Sequence, residues 1–129
     1  MRQLVYISTA TPAGAADIAN ILSTAEDRNR QRGITGFLLF NGRNFLQLIE
    51  GESPDLLNLM ARLVHDRRHN GMVTLEDRSI ETRAFPEWAM RLLTISESVA
   101  ERRGLIESQI GHDLDPEVRR TVLNFAGLN

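Results

Sequence analysis

The stretch Ile34–Gly51, ITGFLLFNGRNFLQLIEG, decides the fold. Two apolar runs of strand length, ITGFLLF and NFLQLIEG, flank an Asn-Gly pair, and that arrangement is the strongest short-range signal for a β-hairpin. Alternation along the second run sends Phe45, Gln47 and Ile49 to one face and Leu46 and Leu48 to the other. Gln47 is therefore a primary amide set between two large apolar neighbours. Buried without partners, such a group costs about 1–3 kcal/mol, so it needs hydrogen bonds or a ligand.

Working outward from the hairpin, QLVYIS (Gln3–Ser8) is β-branched and aromatic and reads as a first strand, with TPAG as the breaker after it. Between about Gly14 and Arg30 the residues Ala15, Ile18, Leu22 and Ala25 recur at helical spacing, and the next position on that stripe is Asn29. After the hairpin, SPDLLNLMARLVHDRRHNG predicts a second helix. Ser53 is its candidate N-cap, Pro54 opens it, Asp55 lies at the positive end of its dipole, and Leu56, Leu59, Leu63 and Val64 form its apolar face. MVTLEDRSIET and EWAMRLLTI read as two more strands around RAFP.

The order β-α-β-β-α-β-β contains the split βαβ pattern of ferredoxin-like folds. The expectation is an α+β sandwich: a mixed five-stranded sheet with two helices on one face. Residues 96–129 read as a pair of helices, one from about Glu97 to Ile110 and one opening at DPEV. In the latter, Asp115 is the cap and Val118, Val122 and Phe125 share a side. This pair is expected to cover the sheet's other face, so that 1–95 and 96–129 form one globule.

The chain has 129 residues, 42% hydrophobic and 25% charged, with a formal net charge of −2. That suits one globular domain and gives none of the basic footprint of a nucleic-acid binder. All 15 basic residues are arginine, which reads first as composition, although arginine also grips phosphate and carboxylate bidentately. There is no cysteine, which excludes disulfides and thiolate metal sites. No apolar run has the length of a membrane span, and a cytoplasmic protein is expected.

Tyr6, Asn29 and Gln47 thus stand where core residues belong. Singly, a core tyrosine or a solvated helix end explains the first two; together the three point to a buried polar ligand. HDRRHN, at the end of the second helix, reads as a solvated terminus or as an anchor for phosphate or sugar hydroxyls. His65 and His69, four apart, could share a helix face, but without a third ligand they are weak evidence for a metal, and none is expected. No dinucleotide fingerprint, phosphate loop or nucleophile triad is present. A phosphoryl hydrolase of the acylphosphatase kind lacks its loop here.

In LVYIS, in Asn29 before GITG, in FLQLIEGE, in DRRH and in RAFPEWAM, the chain resembles the BLUF family, the blue-light sensors that use FAD. The resemblance covers roughly residues 2–95, and the remainder is similar to the helical tail of stand-alone members. It implies a flavin, FAD or alternatively FMN, inserted end-on between the two sheet-packed helices. Tyr6 would be the electron and proton donor to the excited flavin, Gln47 the amide bridging phenol and ring, and Asn29 a partner of the ring's polar edge. Arg28, Asp66, Arg68 and His69 would contact ribityl or phosphate groups.

The function implied is a photoreceptor without enzyme activity. Rearrangement of the Gln47 amide gives a red-shifted state, relayed through Trp88 or Met90 to an unidentified downstream signalling protein, and the chain is expected to form homo-oligomers. Trp88 and Met90, two apart in the expected last strand, should share a face. The rival readings are a ferredoxin-like binding module without photochemistry and a small flavin-dependent redox enzyme.

Overall fold

The structure, a computed structural model, describes residues 1–127. In chain order the elements are β1 (Arg2–Ala10), α1 (Pro12–Ala16), α2 (Ile18–Arg32), β2 (Thr35–Phe40), β3 (Asn44–Gly51), α3 (Ser53–Leu63), β4 (His69–Ser79), β5 (Arg91–Leu92), α4 (Val99–Ile110) and α5 (Pro116–Ala126). The strands form one sheet in the order β4-β1-β3-β2-β5. β1 pairs antiparallel with β3 and β4, β2 pairs antiparallel with β3, and β5 runs parallel to β2. This is the ferredoxin-like arrangement with a fifth strand on the β2 edge. The hairpin forms where its sequence places it. The Asn41 side chain accepts from the backbone N–H groups of Arg43 at 3.0 Å and Asn44 at 2.7 Å, which folds the turn.

Strand alternation divides the core into two clusters. Leu4, Leu38, Phe45 and Ile49 pack with Leu56 and Leu59 of α3 and with Ile18, Ile21, Leu22 and Ala25 of α2. On the other face Val5, Phe37, Leu39, Leu46 and Leu48 pack against Ile106 and Ile110 of α4 and Val118, Val122 and Phe125 of α5. The C-terminal helices cover the second face as expected, and Asp115 caps α5 by accepting from the N–H of Glu117 at 2.9 Å.

Three local expectations need correction. The first helix is two: Thr11 caps α1, Pro12 opens it, and the chain breaks at Asp17 before α2 begins. TPAG therefore starts a helix rather than only ending a strand. α1 is held by close approach, since a Cβ on Gly14 would lie 1.8 Å from the carbonyl oxygen of Arg68. The N-cap of α3 is Glu52, with Ser53 already helical, a shift of the size common at helix ends.

The third correction concerns the last strand, which contains only Arg91 and Leu92. Pro86 and the turns around it carry 83–90 around the β2 edge as irregular chain. Trp88 and Met90 consequently lie on opposite faces: Trp88 packs with the α4–α5 cluster and Met90 with the α2–α3 cluster. The two-residue periodicity that would put them side by side holds only in a regular strand.

Candidate functional site

β1 and β3 bring Tyr6 directly opposite Gln47, and β2 places Leu38 on Gln47's other side. Paired residues of neighbouring strands project to the same face, so phenol and amide meet beneath α2 and α3. The Tyr6 hydroxyl donates to Oε1 of Gln47, and Nε2 of Gln47 donates to Sδ of Met90 at 3.2 Å. Tyr6 is 3% and Gln47 7% exposed, so this chain of contacts is shielded from bulk water. Asn29, 2% exposed on the last turns of α2, donates its amide N–H to the carbonyl of Ala89 at 2.6 Å.

These groups border one cleft between α2, α3 and the sheet. Its apolar walls include Ile21, Ala25, Leu38, Phe45, Leu59 and Leu63. Tyr6, Gln47, Asn29 and Met90 are at its polar edge, and Arg28, Asp66, Arg68 and His69 also line it. The structure therefore gathers all the residues predicted from sequence around one site except Trp88. HDRRHN proves to be the turn after α3 running into β4, not a helix end. His69 begins β4, its Nε2 lying 2.7 Å from the carbonyl of Leu63, so His65 and His69 share no helix face. Among the described residues no group of three or more His, Cys, Asp or Glu could hold a metal ion.

The electrostatics follow from this layout. Burial pushes the Tyr6 phenol well above the ordinary tyrosine range, with the negative charge of Asp66 adding to the effect. Its proton is firmly held. The hydrogen bonds from Arg68 keep Asp66 below the usual carboxylate range, and the pair closes at 2.7 Å.

Two features escape the sequence reading. Ser8, two residues from Tyr6 on the same strand face, lines the cleft with a buried hydroxyl that has no protein hydrogen-bond partner. Strand alternation could have found it. The other is Arg62 of α3, whose guanidinium is lowered from its ordinary range by desolvation and then by repulsion from Arg32 and Arg28. Its Nη2 is buried without a partner. In a chain where every cation is arginine, no composition signal marks these three as a group.

The site fits a flat heteroaromatic group with a polar edge and an anionic tail. Apolar walls suit the ring, the Ser8 hydroxyl and the Gln47 and Asn29 amides suit its heteroatoms, and converging guanidiniums suit phosphate.

The family model described as sensors of blue light using FAD matches residues 1–91. The photoactivated adenylate cyclase subunit beta of Euglena longa is 40% identical over 93 residues, 70% of this chain and 11% of that protein. The chain thus spans about a tenth of the length of this curated relative. The dark-state structure of BlrB, a BLUF protein, is 32% identical with a TM-score of 0.74, covering 97% of this chain and 92% of that one. Klebsiella pneumoniae BlrP1 with FMN and cyclic diGMP is 27% identical with a TM-score of 0.80, covering 97% of this chain and 34% of that one.

Proposed function

The chain belongs to the BLUF family, the sensors of blue light using FAD, and on that premise we propose that it is a photoreceptor whose switch is the Tyr6–Gln47 pair. The observation that carries this reading is the buried hydrogen bond from the Tyr6 phenol to the Gln47 amide at the cleft, with Met90 on the amide's other side. Tyr6, Gln47 and Asn29 would hold the ring, while Arg28, Asp66, Arg68 and His69, joined by Arg62, would hold ribityl and phosphate groups. Bound there, FAD, or FMN in its place, supplies blue-light absorption and an excited-state acceptor for an electron and a proton.

The chain's own part is to lend and recover that electron and proton while the amide changes what it presents. Tyr6 is an oxidisable phenol whose proton is otherwise firmly held, so in the dark it is a neutral donor. Gln47 offers one acceptor oxygen and two donor hydrogens, and it can exchange them without acquiring charge. If the amide turns over, Oε1 faces Met90, and an acceptor oxygen against a thioether has no hydrogen bond to make. Met90 then loses its hold on Gln47.

Met90 adjoins Trp88 around the β2 edge, and Trp88 packs with the cluster that includes α4 and α5. The output is therefore a changed packing of those helices, read by a downstream signalling protein, with the chain itself acting in a homo-oligomer and catalysing nothing. Relatives named as photoactivated adenylate cyclases support a sensory role whose consequence is felt elsewhere.

Visible absorption tests the reading. The purified protein, loaded with FAD, should shift its flavin bands to longer wavelength under blue light and return in darkness. Failure to bind flavin would support a module without photochemistry, and bleaching with no red-shifted state would support a redox enzyme.

A further inference from the structure

Among the described residues Glu50 is the only acidic side chain that is buried, with 0% exposure. It shares the β3 face of Leu46 and Leu48, so it points away from the cleft, toward the α4–α5 side. Its Oε1 accepts from the N–H of Phe85 at 2.8 Å, and its Oε2 accepts from the N–H of Ala84 at 2.9 Å and from Nε2 of Gln3 at 3.1 Å. Arg83 secures the same junction, donating to the carbonyl of Glu50 at 2.9 Å and to the Thr35 hydroxyl at 2.8 Å.

The segment leaving this junction is held differently. Phe85 stacks on Trp88 with ring centroids 4.8 Å apart and planes 17° from parallel, and the Arg91 guanidinium carbon lies 4.8 Å from the Trp88 ring on which it packs. Met90 then crosses to the cleft and meets Gln47. The Phe85 end of the segment is thus tied by hydrogen bonds to the Glu50 carboxylate; farther on, the Trp88 backbone is pinned by the Gly36 N–H at 2.7 Å, but its ring is held by stacking, which can slide.

We propose that Glu50 is a positioning residue that acts as the fulcrum of this segment, holding Phe85 in place so that displacement of Met90 becomes a slip of Trp88 between Phe85 and Arg91. The inference rests on the photoreceptor reading, since it needs Met90 to move when Gln47 rearranges. Without the fulcrum Phe85 and Trp88 would travel together, and the aromatic contact with the α4–α5 cluster would change little.

Trp88 is the only tryptophan in the chain, so 5-fluorotryptophan labelling gives a single fluorine resonance. The test compares that resonance in darkness and under blue light in wild type and Glu50→Gln, alongside the flavin spectrum. Glutamine keeps the shape but sets an NH2 group where one acceptor oxygen met backbone N–H. The expected result is an unchanged flavin red shift with the light-induced fluorine shift halved or more. An equal fluorine shift in both proteins, or none in wild type whose flavin does shift, would overturn the fulcrum alone. A wild type with no flavin shift would overturn the photoreceptor reading beneath it and the fulcrum as well.

Should Glu50→Gln fail to fold, amide exchange in the wild type decides. Protection at Ala84 and Phe85 that is equal in darkness and light, while the Trp88 region changes, supports the fulcrum. A light-induced acceleration of tenfold or more at Ala84 and Phe85 contradicts it.

Discussion

The amide nitrogen of Gln47 lies 3.2 Å from the sulfur of Met90, on the face of the sheet opposite the Trp88 ring. One hydrogen bond therefore joins the polar edge of the cleft to the segment that crosses to the α4–α5 side. Met90→Leu keeps the volume, so its cost in stability should stay under about 1.5 kcal/mol. It removes the acceptor, which weakens the dark arrangement by about 0.5–1 kcal/mol. If that weakening appears in the barrier, dark recovery followed by visible absorption should slow by about two- to fivefold.

Tyr6 is the only tyrosine, and its proton is bound more tightly in the folded than in the unfolded chain. Below about pH 10 both states keep the proton; above it the unfolded chain releases the proton while the folded one retains it, so stability falls as pH rises. Denaturant melts at pH 9 and 11 should show the wild type losing about 1 kcal/mol more than Tyr6→Phe over that interval. The same substitution should abolish the light-induced spectral shift while leaving flavin bound.

Gly36 holds the β2 edge against the 83–90 segment. Its φ is +149°, a Cβ there would lie 1.8 Å from the carbonyl oxygen of Leu48, and its N–H donates to the carbonyl of Trp88 at 2.7 Å. Gly36→Ala combines backbone strain with a steric clash and should cost at least about 2 kcal/mol in thermal or denaturant unfolding. A melting curve indistinguishable from wild type would contradict this account of the edge.

Arg32 and Arg28 repel the Arg62 guanidinium in the protein alone, and a bound phosphate would relieve that repulsion. Arg62→Gln should leave the stability of the flavin-free chain unchanged or raised, and should weaken FAD binding about tenfold by calorimetry, with a smaller salt dependence. The flavin red shift should persist once the site is saturated. Unchanged affinity would remove Arg62 from the phosphate site.

Most of the fold was legible because it rests on local signals: the Asn-Gly hairpin, the proline-opened α3 and α5, and the stripe of Val118, Val122 and Phe125. Gln47 was legible for the opposite reason, as a violation of an otherwise regular pattern. The short β5 was not, because EWAMRLLTI has strand composition and its interruption comes from tertiary contacts: Gly36 claims the Trp88 carbonyl and Asn29 that of Ala89. The division of α1 from α2 was hidden likewise, since nothing in PAGAADIAN announces the close approach of Gly14 to Arg68. Arg62 and Glu50 carry ordinary surface residue types, and only burial and partners distinguish them.

On the proposed photoreceptor reading, the Gln47 amide is what changes when light is absorbed. The most direct measurement is the visible difference spectrum, illuminated minus dark, of wild type and Gln47→Leu loaded with FAD. The wild type should show a red-shifted state that decays fully in darkness, and Gln47→Leu, with flavin bound, should show none. A reversible red shift of wild-type size in Gln47→Leu would contradict the claim.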